Sequence, residues 1–416
     1  MSLSLLQYSY NPPLSSLYLN FDQPRRIIFG PDAANQSGTE AKRLGAGKVL
    51  IVTDTNVEKA GLAIKVQESI EKSGLRSDIY NKISFEPTMD SVQNAVKAAR
   101  DPGGYNVVVG VGGGSVLDTT KMVANLLTNA GDPKTYLTPT EDRFTSPSVP
   151  KILIPTTAGT GSEVSNYSVV IEKESMYKTW AASPNLLAEV AIVDPKMMLT
   201  CPSRVTAGCA LDVGGHNIEG LISKESNPMS DGYATEAVKL LFRHARRAYN
   251  STDDLEARSG MAMASTFGGI VIAFPWIGGP AILGHCLAEA FGPKYGVAHG
   301  VAVGIALPYI LSFNLNSCAE KVVSFAEATG VRRWGRSERE VAELVPQAIL
   351  QLMRDLELPR SLKQINFPKA DLESFAEYIV NQRQHIYNLP RYNPRRLTKE
   401  NMIQLLTDMY EGALEN

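Results

Sequence analysis

The sequence predicts an α/β domain with a mostly parallel sheet, followed by an all-helical domain. Before residue 195, short runs rich in Val and Ile alternate with amphipathic segments, the pattern of a parallel sheet with crossover helices. After Asp194-Pro195, strand-like runs cease and long helical segments take over. The chain has 416 residues, more than a single core usually accommodates. We therefore predict two domains, at 1–195 and 196–416.

Each predicted element has a local reason. Lys48-Val-Leu-Ile-Val-Thr53 is a β-branched run, typical of a buried parallel strand, and the helical pattern after it ends at Gly74. In the first domain we predict strands 48–53, 77–83, 106–111, 151–154 and 190–193 and helices 57–73, 90–100 and 115–127. In the second we predict helices 205–222, 230–249, 255–272, 282–291, 301–315, 318–329, 338–356, 370–383 and 398–414.

Composition excludes several classes of function. The chain has 41 basic and 43 acidic side chains, a formal charge of −2, which gives no reason to expect nucleic acid or an anionic membrane as a partner. Four cysteines without a C-x-x-C pair do not form a disulfide framework, so we expect a reducing, cytoplasmic setting. The first 20 residues lack a basic region and contain Pro12-Pro13, which argues against a signal peptide.

One segment is long and apolar enough to require a test against a membrane span. Residues 260–284 contain no charged side chain. They do contain Pro275, Pro280 and two pairs of glycines, and no second span accompanies them. We predict a buried, broken helix that lines a site.

Four possible metal ligands lie in the second half. Asp212 and His216 are four residues apart, so a helix would project both from one face. His285 and His299 are separated by Gly292-Pro293, so a helix, a turn and a returning segment would be needed to bring them together. One carboxylate with three imidazoles would suit Zn²⁺ or Fe²⁺. Spacing leaves open the alternative of unrelated polar groups, each satisfied in a core.

A glycine-rich turn joins a predicted strand to a predicted helix. In Gly112-Gly-Gly-Ser115 the glycines would let the backbone approach a phosphate, and the helix N-terminus offers unpaired N–H groups. Asp118 suits the start of that helix. The match to the Rossmann fingerprint is imperfect, because Ser115 stands where a third glycine belongs. An ordinary tight turn remains the alternative.

Two further features follow predicted strands, where α/β sheets bind ligands. Pro155-Thr-Thr-Ala-Gly-Thr-Gly-Ser-Glu163 is a loop of small and hydroxyl side chains. Asp54 lies where a carboxylate would bind ribose hydroxyls and repel a 2′-phosphate, which favours NAD over NADP. A strand-terminal Asp can also serve in the turn itself.

Taken together, these motifs resemble the iron-containing (group III) alcohol dehydrogenases. The resemblance rests on four motifs in the family's order: Gly112-Gly-Gly-Ser-Val-Leu-Asp-Thr-Thr-Lys121, then residues 155–163, then Asp212-x3-His216, then His285-x13-His299. Pro24-Arg-Arg-Ile-Ile-Phe-Gly30 and Asn393-Pro-Arg also resemble family segments. The family implies a Rossmann-like nucleotide-binding domain, a helical metal-binding domain and an active site between them.

The resemblance implies roles position by position. Asp212, His216, His285 and His299 would be the metal ligands. Gly113, Gly114 and Ser115 would meet the cofactor pyrophosphate, with Asp118 beside the nicotinamide half. Thr156, Thr157 and Thr160 would line the cofactor cleft, Lys178 matches the lysine after that loop, and Asp54 falls where the family selects NAD or NADP. The implied activity is reversible hydride transfer between a small alcohol and its aldehyde or ketone, in a homodimer or larger oligomer.

Four protein ligands would close a tetrahedral zinc site, whereas Fe(II) accepts further ligands. We therefore expect Fe(II), with Zn(II) as the alternative.

Three features depart from the family pattern. Members commonly carry a histidine four residues after the third ligand, but this chain has Glu289, which would be either a proton-relay catalytic group or a salt-bridged residue at the pocket rim. Gly214-Gly215 lies within a predicted helix, and we expect cofactor or substrate to approach closely there. Residues 274–280 (Phe-Pro-Trp-Ile-Gly-Gly-Pro) would form an aromatic wall of the substrate pocket.

Other functions remain open at this stage. One is a transhydrogenase that keeps its nicotinamide bound and passes hydride between a hydroxy acid and an oxo acid. Another is a non-redox metal enzyme similar to dehydroquinate synthase, which would yield no net NADH. A non-enzymatic binding protein is the remaining class.

Overall fold

A six-stranded parallel sheet organises the first half of the chain. In the computed structural model, the described residues are 15, 19, 21–84, 87–100, 104–137, 142–172, 177–274 and 282–415. Its strands are β1 Arg26–Phe29, β2 Lys48–Val52, β3 Arg76–Tyr80, β4 Val107–Gly112, β5 Lys151–Pro155 and β8 Val190–Val193. They lie in the order β1-β8-β5-β4-β2-β3, all parallel to their neighbours. Two further strands, β6 Tyr167–Glu172 and β7 Tyr177–Ala182, form a separate antiparallel hairpin.

Helices cover both faces of this sheet. They are α1 Ser37–Arg43, α2 Thr55–Lys59, α3 Leu62–Lys72, α4 Met89–Arg100 and α5 Gly114–Leu126. Because side chains alternate across a strand, Val109 and its neighbours pack with α1 and α3, while Val108 faces α4 and α5. The predicted single helix 57–73 is wrong: it is two helices, because Gly61 adopts a left-handed conformation (φ 78°) between them. The hairpin β6–β7 was not predicted.

The order of the strands reverses between β2 and β4. From β2 the chain moves outward to β3 and then returns to β4 on the other side of β2. In open parallel sheets, ligands bind outside the carboxyl ends of the strands at such a reversal. Asp54 follows β2 and the glycine-rich turn follows β4. The fold therefore places both predicted cofactor motifs at one crevice.

The second half is helical, as predicted, and no described residue after Val193 lies in a strand. Its helices are α6 Ser203–Ile222, α7 Pro228–Asn250, α8 Leu255–Ala273, α9 Leu283–Phe291, α10 His299–Ala326, α11 Glu338–Asp355, α12 Leu372–Tyr378, α13 Gln384–Ile386, α14 Leu389–Tyr392 and α15 Lys399–Glu411. The predicted helices 301–315 and 318–329 are the two parts of α10, which meet at a kink where the backbone of Cys318 is not helical (φ −146°, ψ 22°). The predicted helix 370–383 is interrupted by a π-helical turn, Ile379–Arg383.

Apolar helices form the core of this half. Among the described helices, α10 is long and apolar enough to cross a membrane, but most of it is buried inside the protein, as expected of a core helix. The uncharged segment 260–284 is divided between α8 and α9. Of the predicted aromatic wall, Phe274 stacks on Phe21 with ring centroids 4.2 Å apart. Residues 275–281 lie outside the described residues.

The loop after β5 joins the two halves. Gly161 has a φ of +60°, and a Cβ there would lie 2.5 Å from the Cα of Gly269 in α8. Two residues later, the buried carboxylate of Glu163 accepts a hydrogen bond from Thr266 Oγ1 at 2.8 Å. Burial raises the pKa of Glu163. These contacts hold the loop directly against α8.

Gly161→Ala should lower the thermal stability of the protein. A side chain at Gly161 has to adopt a left-handed backbone and overlap α8, which together cost about 2–4 kcal/mol. Gly232→Ala is the matched control, because Gly232 lies on the exposed face of α7 and a Cβ added there would have no other atom within 4 Å. Alanine at Gly232 should raise stability by up to about 1 kcal/mol. Equal melting temperatures for the two variants would contradict the tight contact.

Candidate active site

One cavity of about 1870 Å³ contains every site residue predicted from the sequence. It lies between the carboxyl edge of the parallel sheet and the helical half. Its lining includes Asp54, Gly113, Gly114, Ser115, Asp118, Thr156, Thr157, Thr160, Lys178, Asp212, His216, His285, Glu289 and His299. The two groups of motifs, far apart in the sequence, therefore share one site.

The glycine-rich turn presents the N-terminus of α5 to this cavity. Gly113 is the N-cap residue, and as a glycine it has no side chain that could cap α5. A Cβ on Gly114 would lie 2.6 Å from Thr160 Cγ2, so glycine is required for the two loops to meet. By contrast, Thr398 and Asn401 form a capping box at α15. The positive end of the α5 dipole and the backbone at this glycine-rich turn fit a phosphate group.

Asp118 on α5 forms hydrogen bonds to the loop after β5 and to β6, and it does not cap the start of the helix. It lies in the second turn of α5, where its Oδ1 accepts from Ser162 Oγ at 2.6 Å and its Oδ2 accepts from the Val169 N–H at 3.0 Å. Nearby, the buried Lys121 donates to the carbonyl oxygen of Tyr167 at 2.6 Å. Burial lowers the pKa of Lys121, against the opposing charge of Asp118. The expectation that Asp118 serves the helix start is therefore wrong.

Asp54 caps α2 and borders the cavity. Its Oδ1 accepts hydrogen bonds from the N–H groups of Asn56 (2.8 Å) and Val57 (3.0 Å). Within the described part of the chain, no hydrogen-bond donor reaches its Oδ2. The turn role and the ligand role weighed for this residue are thus compatible, because each uses a different oxygen.

The predicted metal ligands converge from three helices. Asp212 and His216 lie one turn apart on α6, His285 is on α9, and His299 begins α10. The Nε2 atoms of His216, His285 and His299 lie 3.7, 3.6 and 3.4 Å from Asp212 Oδ1. Neither Asp212 Oδ1 nor His285 Nε2, both buried, has a hydrogen-bond partner among the described residues. Such separations are too long for hydrogen bonds. Among the described residues, Asp212, His285 and His299 offer ligand atoms within 4.8 Å of one another, which suits one shared ion, and His216 lies outside that group.

Glycines let the helices that carry these ligands approach closely. A Cβ on Gly300 would lie 2.1 Å from the Gly208 carbonyl oxygen, where α10 crosses α6. A Cβ on Gly215 would lie 2.4 Å from Val303 Cγ1 and 2.9 Å from His285 Cε1. The expected approach of cofactor or substrate at Gly214-Gly215 is therefore wrong. The glycines instead admit α10 and a candidate ligand.

Glu219, which the sequence analysis missed, fixes the orientation of His285. It is fully buried on α6, and its Oε1 lies 2.7 Å from His285 Nδ1. Its Oε2 accepts from the backbone N–H groups at the start of α9, including Ile282 at 3.0 Å and Gly284 at 2.8 Å. With a proton on Nδ1, the Nε2 lone pair points to the cluster. The sequence could have predicted the proximity of Glu219 to the cluster, because residues 212, 216 and 219 follow i, i+4, i+7 spacing on one helix face.

The charges of the cluster favour a cation. Burial would raise the pKa of Asp212, but the imidazoles of His216 and His299 hold it well below its usual range. Burial lowers the pKa of His216 to about 4, which keeps its lone pair free at neutral pH. Burial opposes a charge on His285 as well, yet Glu219 and Asp212 raise its pKa to about 10. Two buried carboxylates thus attract positive charge, which a divalent ion would supply.

Glu289 is buried in an ion pair one turn beyond His285. Its Oε2 accepts a hydrogen bond from Tyr387 Oη and lies 3.7 Å from Arg383 Nη2. All three side chains are at most 3% exposed. Of the two interpretations of Glu289, this geometry favours the salt-bridged residue, although it lies inside the pocket wall and not at the rim. Arg383 and Tyr387 had no signal in the sequence.

The N-terminus of α5, at the sheet reversal, opens onto the same cavity as the carboxylate–imidazole cluster, and this arrangement fits the class of nucleotide-dependent oxidoreductases with a metal site. Comparison with known proteins identifies the family. The family model "Iron-containing alcohol dehydrogenase" matches residues 24–195, and "Fe-containing alcohol dehydrogenase family, C-terminal" matches residues 206–410. The chain belongs to the iron-containing alcohol dehydrogenase family and is an alcohol oxidoreductase.

Individual relatives cover nearly the whole chain. Long-chain-alcohol dehydrogenase 1 of Geobacillus thermodenitrificans (strain NG80-2) is 34% identical over 372 residues, which is 88% of this chain and 92% of the relative. The crystal structure of 1,3-propanediol oxidoreductase superposes with a TM-score of 0.88 at 29% identity, covering 95% of this chain and 100% of that one. Sulfoacetaldehyde reductase from Bifidobacterium kashiwanohense in complex with NAD⁺ gives a TM-score of 0.83 at 26% identity, covering 94% and 99%.

Glu219→Gln should weaken metal binding by about 10- to 100-fold, the usual effect of losing a group that orients a ligand. The amide cannot accept from the start of α9 and from His285 at once without turning its NH₂ group toward a donor. Metal content per chain after dialysis against a graded chelator series measures the effect. Glu225→Gln is the control, because Glu225 pairs with Arg391 (3.1 Å) on the surface. Equal metal retention by both variants would contradict the role of Glu219.

Proposed function

We propose that this protein is a metal-dependent, NAD-linked alcohol dehydrogenase, which transfers hydride reversibly between a small alcohol and nicotinamide C4. One observation carries the proposal: the phosphate-binding end of α5 and the Asp212 cluster open onto a single cavity. A cofactor anchored at one end and an alcohol bound at the other would meet within it. Two of the relatives are named for a long-chain alcohol and for 1,3-propanediol, and these names support an alcohol as the substrate.

Asp212, His216, His285 and His299 would hold the metal ion, and the ion would act as a Lewis acid that stabilises an alkoxide or polarises a carbonyl group. Fe(II) is the proposed metal, because four protein ligands leave positions open at iron but close a tetrahedral zinc site. The family name supports iron. Zn(II) is the alternative.

The residues of the chain supply orientation and exclude water. Glu219 fixes the tautomer of His285. Asp118, bonded to Ser162 and to the backbone of Val169, holds α5 and the hydroxyl-rich loop at a fixed spacing on the nicotinamide side of the cavity. Asp212, His216 and His285 are at most 4% exposed, so an alcohol oxygen beside them would be shielded from water. Fixed geometry and exclusion of water account for much of the rate enhancement in hydride transfer.

The transhydrogenase and the dehydroquinate-synthase-like reaction differ from this proposal in their cofactor balance. A transhydrogenase would turn over two substrates without added NAD⁺, and the non-redox reaction would produce no net NADH. NADH absorbance across primary alcohols, diols and hydroxy acids, with Fe(II) or Zn(II) restored anaerobically, separates the three. Cytoplasmic location and a homo-oligomeric state stay predictions.

His299→Ala should remove the metal and abolish alcohol-dependent NADH formation while the chain still folds. His299 is the most exposed of the candidate ligands, with a side chain 21% exposed, so its loss leaves no large cavity in the core. Metal content, far-ultraviolet circular dichroism and initial rates measure the three effects. His385→Ala, on the exposed side of α13, is the control. Normal turnover by the His299 variant would exclude the proposed metal site.

Asp54→Ser should increase the use of NADP⁺ relative to NAD⁺ by about tenfold or more, because a carboxylate beside a 2′-phosphate costs several kcal/mol. Serine is chosen because it caps a helix about as well as aspartate, so α2 is retained. The ratio of kcat/KM for the two cofactors is the measurement, with Glu58→Gln on α2 as the control. An unchanged ratio would show that Asp54 only caps the helix.

A further inference from the structure

The buried cluster of Glu289, Arg383 and Tyr387 reaches the cavity through Glu289. Glu289 is four residues after His285 on α9, so both side chains project from the same helix face, about 6 Å apart along the axis. Both border the same cavity. A group one helical turn from a metal ligand is within reach of the part of a substrate that extends beyond its reacting carbon.

Arg383 and Tyr387, the partners of Glu289, lie at the end of an irregular helical turn and just after it. The π-helical turn Ile379–Arg383 ends at Arg383, and such turns occur often at functional sites. The guanidinium also lies 3.4 Å from the carbonyl oxygen of Lys178 in β7, and Tyr387 packs edge-on against Trp180 with centroids 5.0 Å apart. The cluster therefore bridges the β6–β7 hairpin and the helical half, and it holds the Glu289 carboxylate in one orientation.

Only one oxygen of Glu289 is used by these partners. Both the Tyr387 hydroxyl and the Arg383 guanidinium face Oε2. Among the described residues, none donates a hydrogen bond to Oε1. Oε1 is also not one of the fully buried polar atoms that lack a hydrogen-bond partner. Since the residue borders the cavity, Oε1 is the oxygen available to a donor there. A carboxylate oxygen accepts hydrogen bonds but donates none.

We propose that Glu289 determines substrate choice: its Oε1 accepts a hydrogen bond from a second hydroxyl of the alcohol, so that small diols bind better than mono-alcohols of the same carbon chain. This inference rests on the proposed function for the identity of the reacting group. Arg383 and Tyr387 are positioning residues, which hold Oε2 so that Oε1 faces the substrate. The negative charge also disfavours a hydroxy acid, whose carboxylate would face Glu289 without a donor.

Binding is measured first, because it does not require turnover. The metal-loaded full-length protein saturated with NADH, which cannot accept a hydride from an alcohol, is titrated calorimetrically with 1-propanol, 1,2-propanediol and 1,3-propanediol. At least one diol should bind about 10- to 100-fold more tightly than 1-propanol, the value of a hydrogen bond to a charged acceptor. The ratio of kcat/KM with NAD⁺ for the same alcohols should show the same preference.

Two variants test the role of Glu289. In Glu289→Leu/Arg383→Met both members of the buried pair become apolar, which avoids an unpaired buried charge. This variant should bind the diols and 1-propanol about equally tightly. Glu289→Gln keeps a carbonyl acceptor without the charge, and its preference should be intermediate. The matched control is Glu411→Leu/Lys369→Met, which removes an exposed ion pair of 2.6 Å and should keep the wild-type preference.

The outcomes separate the inference from the proposed function. Equal binding of diols and 1-propanol by the wild-type protein overturns the inference, as does an equal loss for both kinds of alcohol in the Glu289 variants. If the double variant does not fold, Glu289→Gln decides the question alone. A diol preference in binding without NADH formation from any alcohol would support the inference and refute the proposed function.

Discussion

The close crossing of α6 and α10 is the contact on which the candidate active site depends. Gly208 and Gly300 meet backbone to backbone, and Gly215 receives Val303 and the edge of His285. A side chain at Gly300 or Gly215 would overlap the other helix, so the helices would have to move apart and carry the candidate ligands with them. Gly208 and Gly215 each weaken α6 as an isolated helix by about 1 kcal/mol, but burial of the apolar sides of α6 and α10 offsets this cost. Helix propensity is given up so that ligands from three helices can meet.

A second series of contacts fixes the position of α5, at the proposed cofactor end of the cavity, relative to the helical half that contains the crossing of α6 and α10. Gly114 packs on Thr160, Asp118 binds Ser162, Gly161 fits against Gly269, and Glu163 accepts from Thr266. Residues 155–163 therefore contact α5 on one side and α8 on the other. Hydride transfer requires the nicotinamide and the alcohol carbon at a defined separation, and this short, buried loop sets that separation more firmly than a flexible linker would. The small side chains of the loop are explained by this double contact as well as by any cofactor.

The sequence predicted the helical half, every strand of the parallel sheet except β1, and every residue of the cavity that belongs to a local motif, because strand-terminal glycines, hydroxyls and i, i+4 pairs leave a pattern in a short window. It failed where the cause is tertiary. Gly61 divides a helix whose periodicity is continuous, and Gly214-Gly215 was assigned to a ligand although Leu307, Val303 and His285 occupy that space. Arg383 and Tyr387 could not be predicted, since 98 residues separate Tyr387 from Glu289. Glu219 could have been found, because its spacing from Asp212 continues that of His216 on the same helix face.

The buried charges explain why Glu289 requires Arg383. Asp212 and Glu219 already place two carboxylates around the imidazole cluster, which matches the charge of one divalent cation. A third carboxylate one turn away would leave the buried site with an excess negative charge, and an unpaired buried charge costs several kcal/mol. Arg383 cancels that excess, and Tyr387 satisfies the same oxygen. In the proposed site, the pair would therefore allow an acceptor oxygen to face the substrate without changing the charge balance around the metal.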